Sequence, residues 1–270
     1  MKPSTALQPR NDREQLLRMY DQREWDAADP RSQWALKYQA RLSLALELLQ
    51  AETGPGDVVL EVGAAQANCS LLMAEQQRVA VALDIDPLAL AYGRRKYERG
   101  EFHAIAGEAS ALPLSQGTCR AVVAMELLEH LPDPPRALGE MVRVLAPGGV
   151  LVLTAPNADF VHERLPEFAR SGREPVPGAP DAAGHRFAFS LSRLRCLTTD
   201  AGLRVEHAGY VGCVFFSDRN PWKRLLPASR IAGISRWLNR VPGARFWSYT
   251  CWLVARRPIG PTANPQGGSR

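Results

Sequence analysis

The sequence predicts an α/β fold: a doubly wound, Rossmann-like sheet of about seven strands, mostly parallel with an antiparallel last strand, and with helices on both faces. Two observations lead to this prediction. Short apolar runs alternate with segments of helical periodicity from residue 57 onward. Most of these runs are predominantly apolar, without regular polar alternation, which is typical of parallel strands covered on both faces. Regular alternation of strand and helix then implies parallel pairing through right-handed crossovers.

The first half of the chain contains two predicted helices within residues 11–52, where apolar residues recur at helical spacing. The glycines of Thr53-Gly54-Pro55-Gly56 end the second of them. After this turn we predict a strand Val58–Val62, a helix Ala67–Gln76, a strand Arg78–Leu83, a helix Pro87–Arg99 and a strand Glu101–Ala106. Pro87 supports the second of these helices, because proline is favoured in the first turn of a helix.

The second half continues the alternation. The predicted elements are a strand Arg120–Met125, a helix Pro134–Leu145, a strand Val150–Thr154, a helix Ser190–Ala201, and the strands Leu203–Val211 and Tyr249–Ala255. Pro147-Gly148-Gly149 separates the first helix of this series from its strand, and Gly202 ends the other helix.

These elements suggest one main domain with additions. Residues 1–56 form an N-terminal helical cap, and residues 57–257 form the α/β domain. Residues 157–184, rich in proline, glycine and charge, are longer than an ordinary connection and are predicted to be a lid. Residues 212–247 form a second, basic insert, and the tail 258–270 has a composition typical of disorder.

Composition and cysteine usage predict a cytoplasmic protein. The five cysteines are scattered and odd in number, which favours reduced thiols over a disulfide framework or a zinc site. No apolar run approaches the roughly 20 residues of a transmembrane helix. The polar segment Met1–Gln15 does not resemble a secretory signal.

Positive charge is concentrated near the C-terminus, where residues 218–257 contain nine Lys or Arg and one acid. If Ser229–Asn239 is helical, its apolar residues share one face and its arginines lie largely elsewhere. Three interpretations stay open: residues 219–247 contact an anionic membrane surface, they cover an acidic, lipid-linked or phosphorylated acceptor, or the apolar face packs on the domain. A basic patch alone indicates no specific nucleic-acid partner.

The segments VVLEVGAAQANCSLLMAE and VALDIDPLALAYGRR contain the pattern that bears most directly on function. Gly63 follows a strand and permits close approach of a ligand. Asp84, at the end of the next strand, is placed to accept both ribose hydroxyls of an adenosine. This arrangement fits a nicotinamide cofactor or S-adenosylmethionine. The buried acid Glu61 and the absence of a G-x-G-x-x-G phosphate loop favour the latter.

Five segments in order extend this pattern: LEVGAAQAN, VALDIDP, GEASALPL, AVVAMELLEHLPDP and RVLAPGGVLVLTAPN. Residues 58–157 therefore resemble the class I S-adenosylmethionine-dependent methyltransferases, in the branch that includes ubiquinone and sugar methyltransferases. The later segment GHRFAFSLSRLRCLTTDAGLRVE is similar to the same branch. The resemblance implies S-adenosylmethionine as cofactor.

The resemblance also implies site residues. The methionine end would be lined by Glu61, Gly63 and Ala65, the ribose held by Asp84, the adenine contacted by Ile85, Glu108 and Ala109, and the sulfonium approached by Met125. Ala65 and Ala67 replace glycines of the family, and alanine disfavours positive φ. Arg120 replaces an acid common in the family at the start of the fourth strand.

An oxygen acceptor requires a base, for which His130 and His185 are the candidates. His130 follows the fourth strand and His185 ends the lid, although each could instead have a structural role. The expected acceptor is a small-molecule, natural-product, glycan or lipid-linked hydroxyl. No residue cluster has metal-ligand spacing. The segment MELL lacks the motif of enzymes that methylate base amino groups, so no specific nucleic acid is expected. The alternatives are a non-catalytic binding module and a nicotinamide-dependent oxidoreductase.

Overall fold

The computed structural model describes residues 33–160, 186, 187, 189–213, 234, 237, 238, 241 and 243–260. Several predictions fall outside these residues: the first N-terminal helix, most of the lid including His185, most of the basic insert and the tail after residue 260.

The described residues form seven strands connected mainly by helices. In chain order the elements are α1 (Gln33–Glu52), β1 (Val58–Val62), α2 (Asn68–Glu75), β2 (Val79–Asp84), α3 (Pro87–Lys96), β3 (Glu101–Ala106), β4 (Cys119–Met125), α4 (Pro134–Val144), β5 (Leu145–Pro156), α5 (Leu191–Asp200), β6 (Arg204–Cys213) and β7 (Ser248–Arg256). Short 3-10 turns follow β4 at Leu128–His130 and precede β7 at Ala244–Phe246.

The seven strands form one sheet in the order β3-β2-β1-β4-β5-β7-β6. Strands β1 to β5 pair in parallel, and β7 is antiparallel to both of its neighbours, β5 and β6. The predicted fold class is therefore confirmed. The chain runs from β1 outward to β3 and then returns to place β4 on the other side of β1, so the strand order reverses between β1 and β4. Ligands of open α/β sheets bind at such a reversal.

Both faces of the central strands are covered, as their apolar sequences predicted. Successive residues of a strand point to opposite faces, and β4 divides its side chains accordingly. Val122 packs in a cluster with Leu138 and Met141 of α4, whereas Val123 packs in a second cluster with Ala45 of α1 and Met73 of α2. Helix α1 is thus part of the layer that buries one face of the sheet.

Strand β5 begins five residues earlier than predicted. Leu145 pairs with Cys119, and the regular ladder resumes where Val150 pairs with Ala121, with a register shift between these pairs. The predicted break at Pro147-Gly148-Gly149 is therefore an irregularity within the strand. Glycine is required at position 149, because a Cβ there would lie 2.8 Å from the Ala146 carbonyl oxygen.

Arg120, the residue that departs from the family pattern, has a structural role. It lies at the start of β4, at the edge of the sheet opposite the carboxyl ends of the parallel strands. Its Nη1 donates to the Gly148 carbonyl oxygen at 2.9 Å, and its Nε donates to the Glu52 carbonyl oxygen at 3.2 Å. These bonds connect the end of α1 to the irregularity in β5. The substitution therefore does not reach the edge at which a ligand would bind.

The described part of the basic insert includes two exposed apolar side chains, Ile234 and Trp237, the latter 64% exposed. Contact of residues 219–247 with an anionic membrane stays a prediction. Of the helices in the described ranges, none has the length and apolar character needed to cross a bilayer.

Candidate active site

The predicted cofactor residues come together at one edge of the sheet. Strands β2, β1 and β4 are adjacent and parallel, and Glu61 of β1 pairs with Ala82 of β2 and with Val123 of β4. Their carboxyl ends therefore lie side by side, with Gly63, Asp84 and Met125 at or just beyond them. This edge contains the reversal of strand order, where the crevice of a doubly wound sheet opens.

The loop after β1 keeps a glycine-like backbone although two of its residues are alanines. Gly63 has a φ of +72°, and a Cβ there would lie 2.7 Å from Cδ1 of Leu127. Ala65 and Ala67 also adopt left-handed conformations, with φ of 44° and 57°. Both alanines therefore adopt the positive φ that alanine disfavours. The loop has the backbone conformation expected of family sequences with glycine at positions 65 and 67. The left-handed conformation costs about 1 kcal/mol for each alanine.

This strain predicts that Ala65→Gly raises the free energy of unfolding by roughly 0.5–1 kcal/mol, because glycine adopts the left-handed conformation freely but gains entropy in the unfolded chain. The Ala65 side chain is exposed, so the change removes little packing. Urea denaturation measures the effect. Ala67→Gly is the matched control: its methyl group is fully buried, and losing about 0.8 kcal/mol of burial cancels the gain. If the Ala65→Gly variant is less stable than the wild type, the claim that the left-handed backbone of Ala65 is strained is contradicted.

Asp84 is held in place by backbone hydrogen bonds to both carboxylate oxygens. Its Oδ2 accepts from the Ala65 amide at 2.7 Å and its Oδ1 from the Asp86 amide at 2.8 Å. Each oxygen retains a further lone pair for a ligand hydroxyl. Asp86 caps α3 by accepting from the amides of Leu88 and Ala89. The carboxylate of Asp84 is thus oriented before any ligand binds.

Glu61 is an acid buried inside β1, with 4% of its surface exposed. Its Oε2 accepts from the Ser70 amide at 2.9 Å and from the Ser70 hydroxyl at 2.7 Å. Burial raises the pKa of Glu61 to about 7, and the negative charge of Asp84 adds to this, while the Ser70 bonds and the charge of Lys96 oppose it. A cationic ligand group beside Glu61 would stabilise its ionised form.

The remaining predicted cofactor residues lie around the same edge. Ile85 is 73% exposed, which leaves its apolar side chain available to a flat apolar ligand. Glu108 is exposed and accepts from the Ser110 hydroxyl at 3.2 Å, while the neighbouring Ala109 is buried. Met125 ends β4 and is half-buried.

Helix α1 contributes polar side chains that the sequence analysis missed. Asn68 Nδ2 donates to the Tyr38 hydroxyl at 2.5 Å, and Arg41 Nη1 forms an ion pair with Glu126 Oε2 at 2.7 Å. Burial raises the pKa of Tyr38 above its usual range, and the nearby charge of Glu61 acts in the same direction. The spacing of apolar residues in α1 predicts a helix. It does not predict the strands whose ends are contacted by the polar residues of this helix.

The turn after β4 contains one predicted catalytic residue and one unexpected acid. His130 ends the 3-10 turn and is exposed, whereas Glu129 beside it is fully buried. Neither carboxylate oxygen of Glu129 has a hydrogen-bond partner among the described residues. The backbone oxygen of Glu129 accepts from the amides of Arg186, at 2.6 Å, and Phe187. The chain is therefore anchored at this turn immediately after His185, which itself lies outside the described residues.

In the described part of the chain, no three His, Cys, Asp or Glu side chains are grouped so as to hold a metal ion. A cofactor that contains adenosine and an amino group fits the edge better. Asp84 faces the edge with oriented oxygens, Ile85 is exposed, and the buried carboxyl group of Glu61 lies nearby.

The sheet order with a single antiparallel strand, together with the acid at the end of β2, defines the class I methyltransferase fold. The model of the family described as "Methyltransferase domain" matches residues 34–208, which is more than half of the chain. The chain belongs to this family, whose relatives use S-adenosylmethionine, and the resemblance predicted from the sequence is confirmed.

The relatives include several curated methyltransferases. The chain is 37% identical over 138 residues to a demethylmenaquinone methyltransferase of Renibacterium salmoninarum, covering 51% of this chain and 56% of that protein. It is 34% identical over 102 residues to a probable S-adenosylmethionine-dependent methyltransferase of Mycolicibacterium smegmatis, covering 38% of this chain and 39% of that protein. The matched region thus spans about half the length of these relatives or less.

Two solved structures show the same fold. A SAM-dependent methyltransferase from Thermotoga maritima has a TM-score of 0.58 at 17% identity, covering 90% of this chain and 97% of that one. The [4+2]-cyclase SpnF has a TM-score of 0.54 at 20% identity, covering 80% of this chain and 81% of that one. The fold therefore supports more than one reaction class.

Proposed function

We propose that this protein transfers the methyl group of S-adenosylmethionine to a hydroxyl oxygen of a small-molecule, natural-product, glycan or lipid-linked acceptor. The observation that supports this most directly is the pair of acids at the reversal of strand order. Asp84 is oriented by the Ala65 and Asp86 amides. Glu61 is buried with its hydrogen bonds on one oxygen, Oε2.

The chain's own residues would hold the cofactor as follows. The Glu61 carboxylate would meet the ammonium group of the methionine end, and the backbone of Gly63 and Ala65 would line that end. Asp84 would accept from the two ribose hydroxyls. The adenine would be contacted by Ile85, Glu108 and Ala109, and the sulfonium by Met125. When bound, this cofactor supplies an electrophilic methyl group for an in-line displacement by the acceptor oxygen.

The acceptor hydroxyl must lose its proton as the new bond forms. His130 lies on the turn that follows Met125, and the anchor at Arg186 is adjacent in sequence to His185. We propose these two histidines as candidate bases. Catalysis by such a group contributes about 10²–10⁴-fold. Positioning and exclusion of water would supply the rest, because methyl transfer needs little other covalent chemistry from the protein.

His130→Ala is expected to lower kcat/KM for a hydroxyl acceptor about 10²-fold near neutral pH, because the proton would lose its acceptor. Transfer of labelled methyl from S-adenosylmethionine to phenol, resorcinol and methyl glucoside would measure this, with cofactor affinity unchanged. His103→Ala is the control, since His103 is exposed on the edge strand β3, away from this turn. Normal turnover of His130→Ala over a wide pH range would remove His130 as the base.

A further inference from the structure

Glu129 is an exception to the rule that buried polar groups are hydrogen-bonded. Its side chain has no exposed surface, and both of its carboxylate oxygens lack a hydrogen-bond partner among the described residues. Buried polar side-chain atoms in folded proteins nearly always have such a partner. An unpartnered carboxyl group costs stability, and a ligand that supplies the missing hydrogen bonds would remove this cost.

Glu129 lies in the turn after β4, at the same edge of the sheet as the proposed cofactor site. It lies four residues beyond Met125, and its backbone oxygen accepts from Arg186 and Phe187, which lead into α5. The same segment reaches β7, where the Cys251 Sγ lies 3.7 Å from the Phe189 carbonyl oxygen. Glu129 therefore lies among the turn after β4, the start of β7 and the segment before α5.

The charge around Glu129 favours its neutral form. Burial raises the pKa of Glu129 well above its usual range, and the negative charge of Glu126 adds to this, while its own backbone amide and, to a smaller extent, the charge of Arg41 oppose it. Arg41 is bonded to Glu126 at 2.7 Å. A neutral carboxyl group has one hydrogen-bond donor and further acceptor capacity. The group that complements it best is a hydroxyl, which also both donates and accepts.

We propose that Glu129 binds the acceptor, its carboxyl group exchanging hydrogen bonds with a hydroxyl of that molecule and so orienting the oxygen that is methylated. This proposal rests on the proposed function, since it names the residue that recognises the hydroxyl-bearing acceptor. It leaves proton removal to the histidines and assigns to Glu129 the positioning of the acceptor.

Two variants separate this role from a structural one. Glu129→Gln keeps a donor and an acceptor in nearly the same shape. Glu129→Met keeps an unbranched side chain but removes both polar atoms. If the carboxyl group is reserved for the acceptor, Glu129→Met leaves no unpartnered polar atom and the free protein becomes more stable. If the carboxyl group supports the fold, the same change makes the protein less stable.

The experiment combines three measurements on the full chain: thermal unfolding, calorimetric titration with S-adenosylmethionine, and methyl transfer to phenol, resorcinol and methyl glucoside. For Glu129→Met we expect a higher melting temperature, unchanged cofactor affinity, and at least a tenfold rise in the acceptor KM with a smaller change in kcat. For Glu129→Gln we expect a KM within a few-fold of the wild type. Glu101→Gln, an exposed acid on β3, is the control and changes none of these.

Three results would overturn the proposal: a lower melting temperature for Glu129→Met, an acceptor KM that does not change in this variant, or wild-type turnover that a chelator abolishes and Mg²⁺ restores. The last result would make the carboxyl group a metal ligand. Failure of the proposed function looks different. In that case the wild-type protein binds S-adenosylmethionine but methylates none of the three acceptors. Calorimetric binding of resorcinol with S-adenosylhomocysteine present then decides the proposal, which fails if Glu129→Met binds resorcinol as well as the wild type.

Discussion

Asp84→Asn is expected to weaken the binding of S-adenosylmethionine about hundredfold, since replacing the charged acceptor of two ribose hydroxyls costs about 3 kcal/mol. Asparagine retains one oxygen for the amides of Ala65 or Asp86, whereas alanine would leave both amides without this partner. Asp84→Asn therefore tests the ligand contact with the least disturbance of the loop. Calorimetric titration of both proteins with S-adenosylmethionine measures the difference.

Asp86→Asn is the matched control for this experiment. It removes the same charge two residues away, and asparagine caps a helix about as well as aspartate. Asp86 caps α3 through Leu88 and Ala89, so its replacement is expected to leave cofactor affinity within a few-fold of the wild type. Equal weakening by both variants would mean that the charge of the loop, and not the contact of Asp84, determines the affinity.

Glu61→Gln is expected to make the free protein more stable and to weaken the binding of S-adenosylmethionine. The pKa of Glu61 is about 7 in the folded protein, compared with about 4.3 for an unperturbed glutamate. Because the folded pKa is the higher one, stability falls as the pH rises through this interval and is lowest above pH 7. The loss amounts to at most about 4 kcal/mol.

Glutamine stays neutral at every pH, and its carbonyl oxygen can accept both bonds from Ser70. Urea denaturation at pH 5, 6, 7 and 8 should therefore show a gap between the two proteins that opens with rising pH. Cofactor affinity should fall roughly 10- to 100-fold because the ammonium group loses its ionised partner. Glu101→Gln, on the exposed edge strand, should change neither quantity. If the difference in the free energy of unfolding between the two proteins is constant with pH, ionisation of the buried Glu61 does not destabilise the fold.

Together the predictions for Asp84 and Glu61 describe a site whose residues bind the cofactor at the expense of folding stability. Glu61 is buried with a raised pKa, and Ala65 and Ala67 keep left-handed backbones. Backbone strain and shifted pKa values persist where the surrounding structure enforces them, and such positions concentrate at functional sites. Their location at the reversal of strand order is consistent with this.

Much of the fold could be predicted from the sequence because local signals agree with the global arrangement. The bounds of β1 and β3 match the prediction, since each strand follows a turn with a glycine. The start of β5 was missed because Pro147 and the glycines after it resemble a break, while pairing between Leu145 and Cys119 extends the sheet past them. Register of this kind depends on a neighbouring strand and not on local composition.

The candidate site was predictable only where residues follow strands directly. Gly63, Asp84 and Met125 are near strand ends, so their convergence follows from parallel pairing. Arg41 was not predictable, because its partner Glu126 lies far along the chain. Nor was Glu129, because its burial depends on how the chain after the lid packs against the turn. The positions of these side chains become apparent only in the tertiary structure.

The measurement that tests the central claim most directly is a calorimetric titration of the wild-type protein with S-adenosylmethionine, S-adenosylhomocysteine and a nicotinamide dinucleotide. We expect the first two to bind with dissociation constants on the order of micromolar, which is the lower end of the usual range of enzyme KM values. We expect the dinucleotide not to bind. If neither S-adenosylmethionine nor S-adenosylhomocysteine binds, the site is not a cofactor site for methyl transfer, and the account is contradicted.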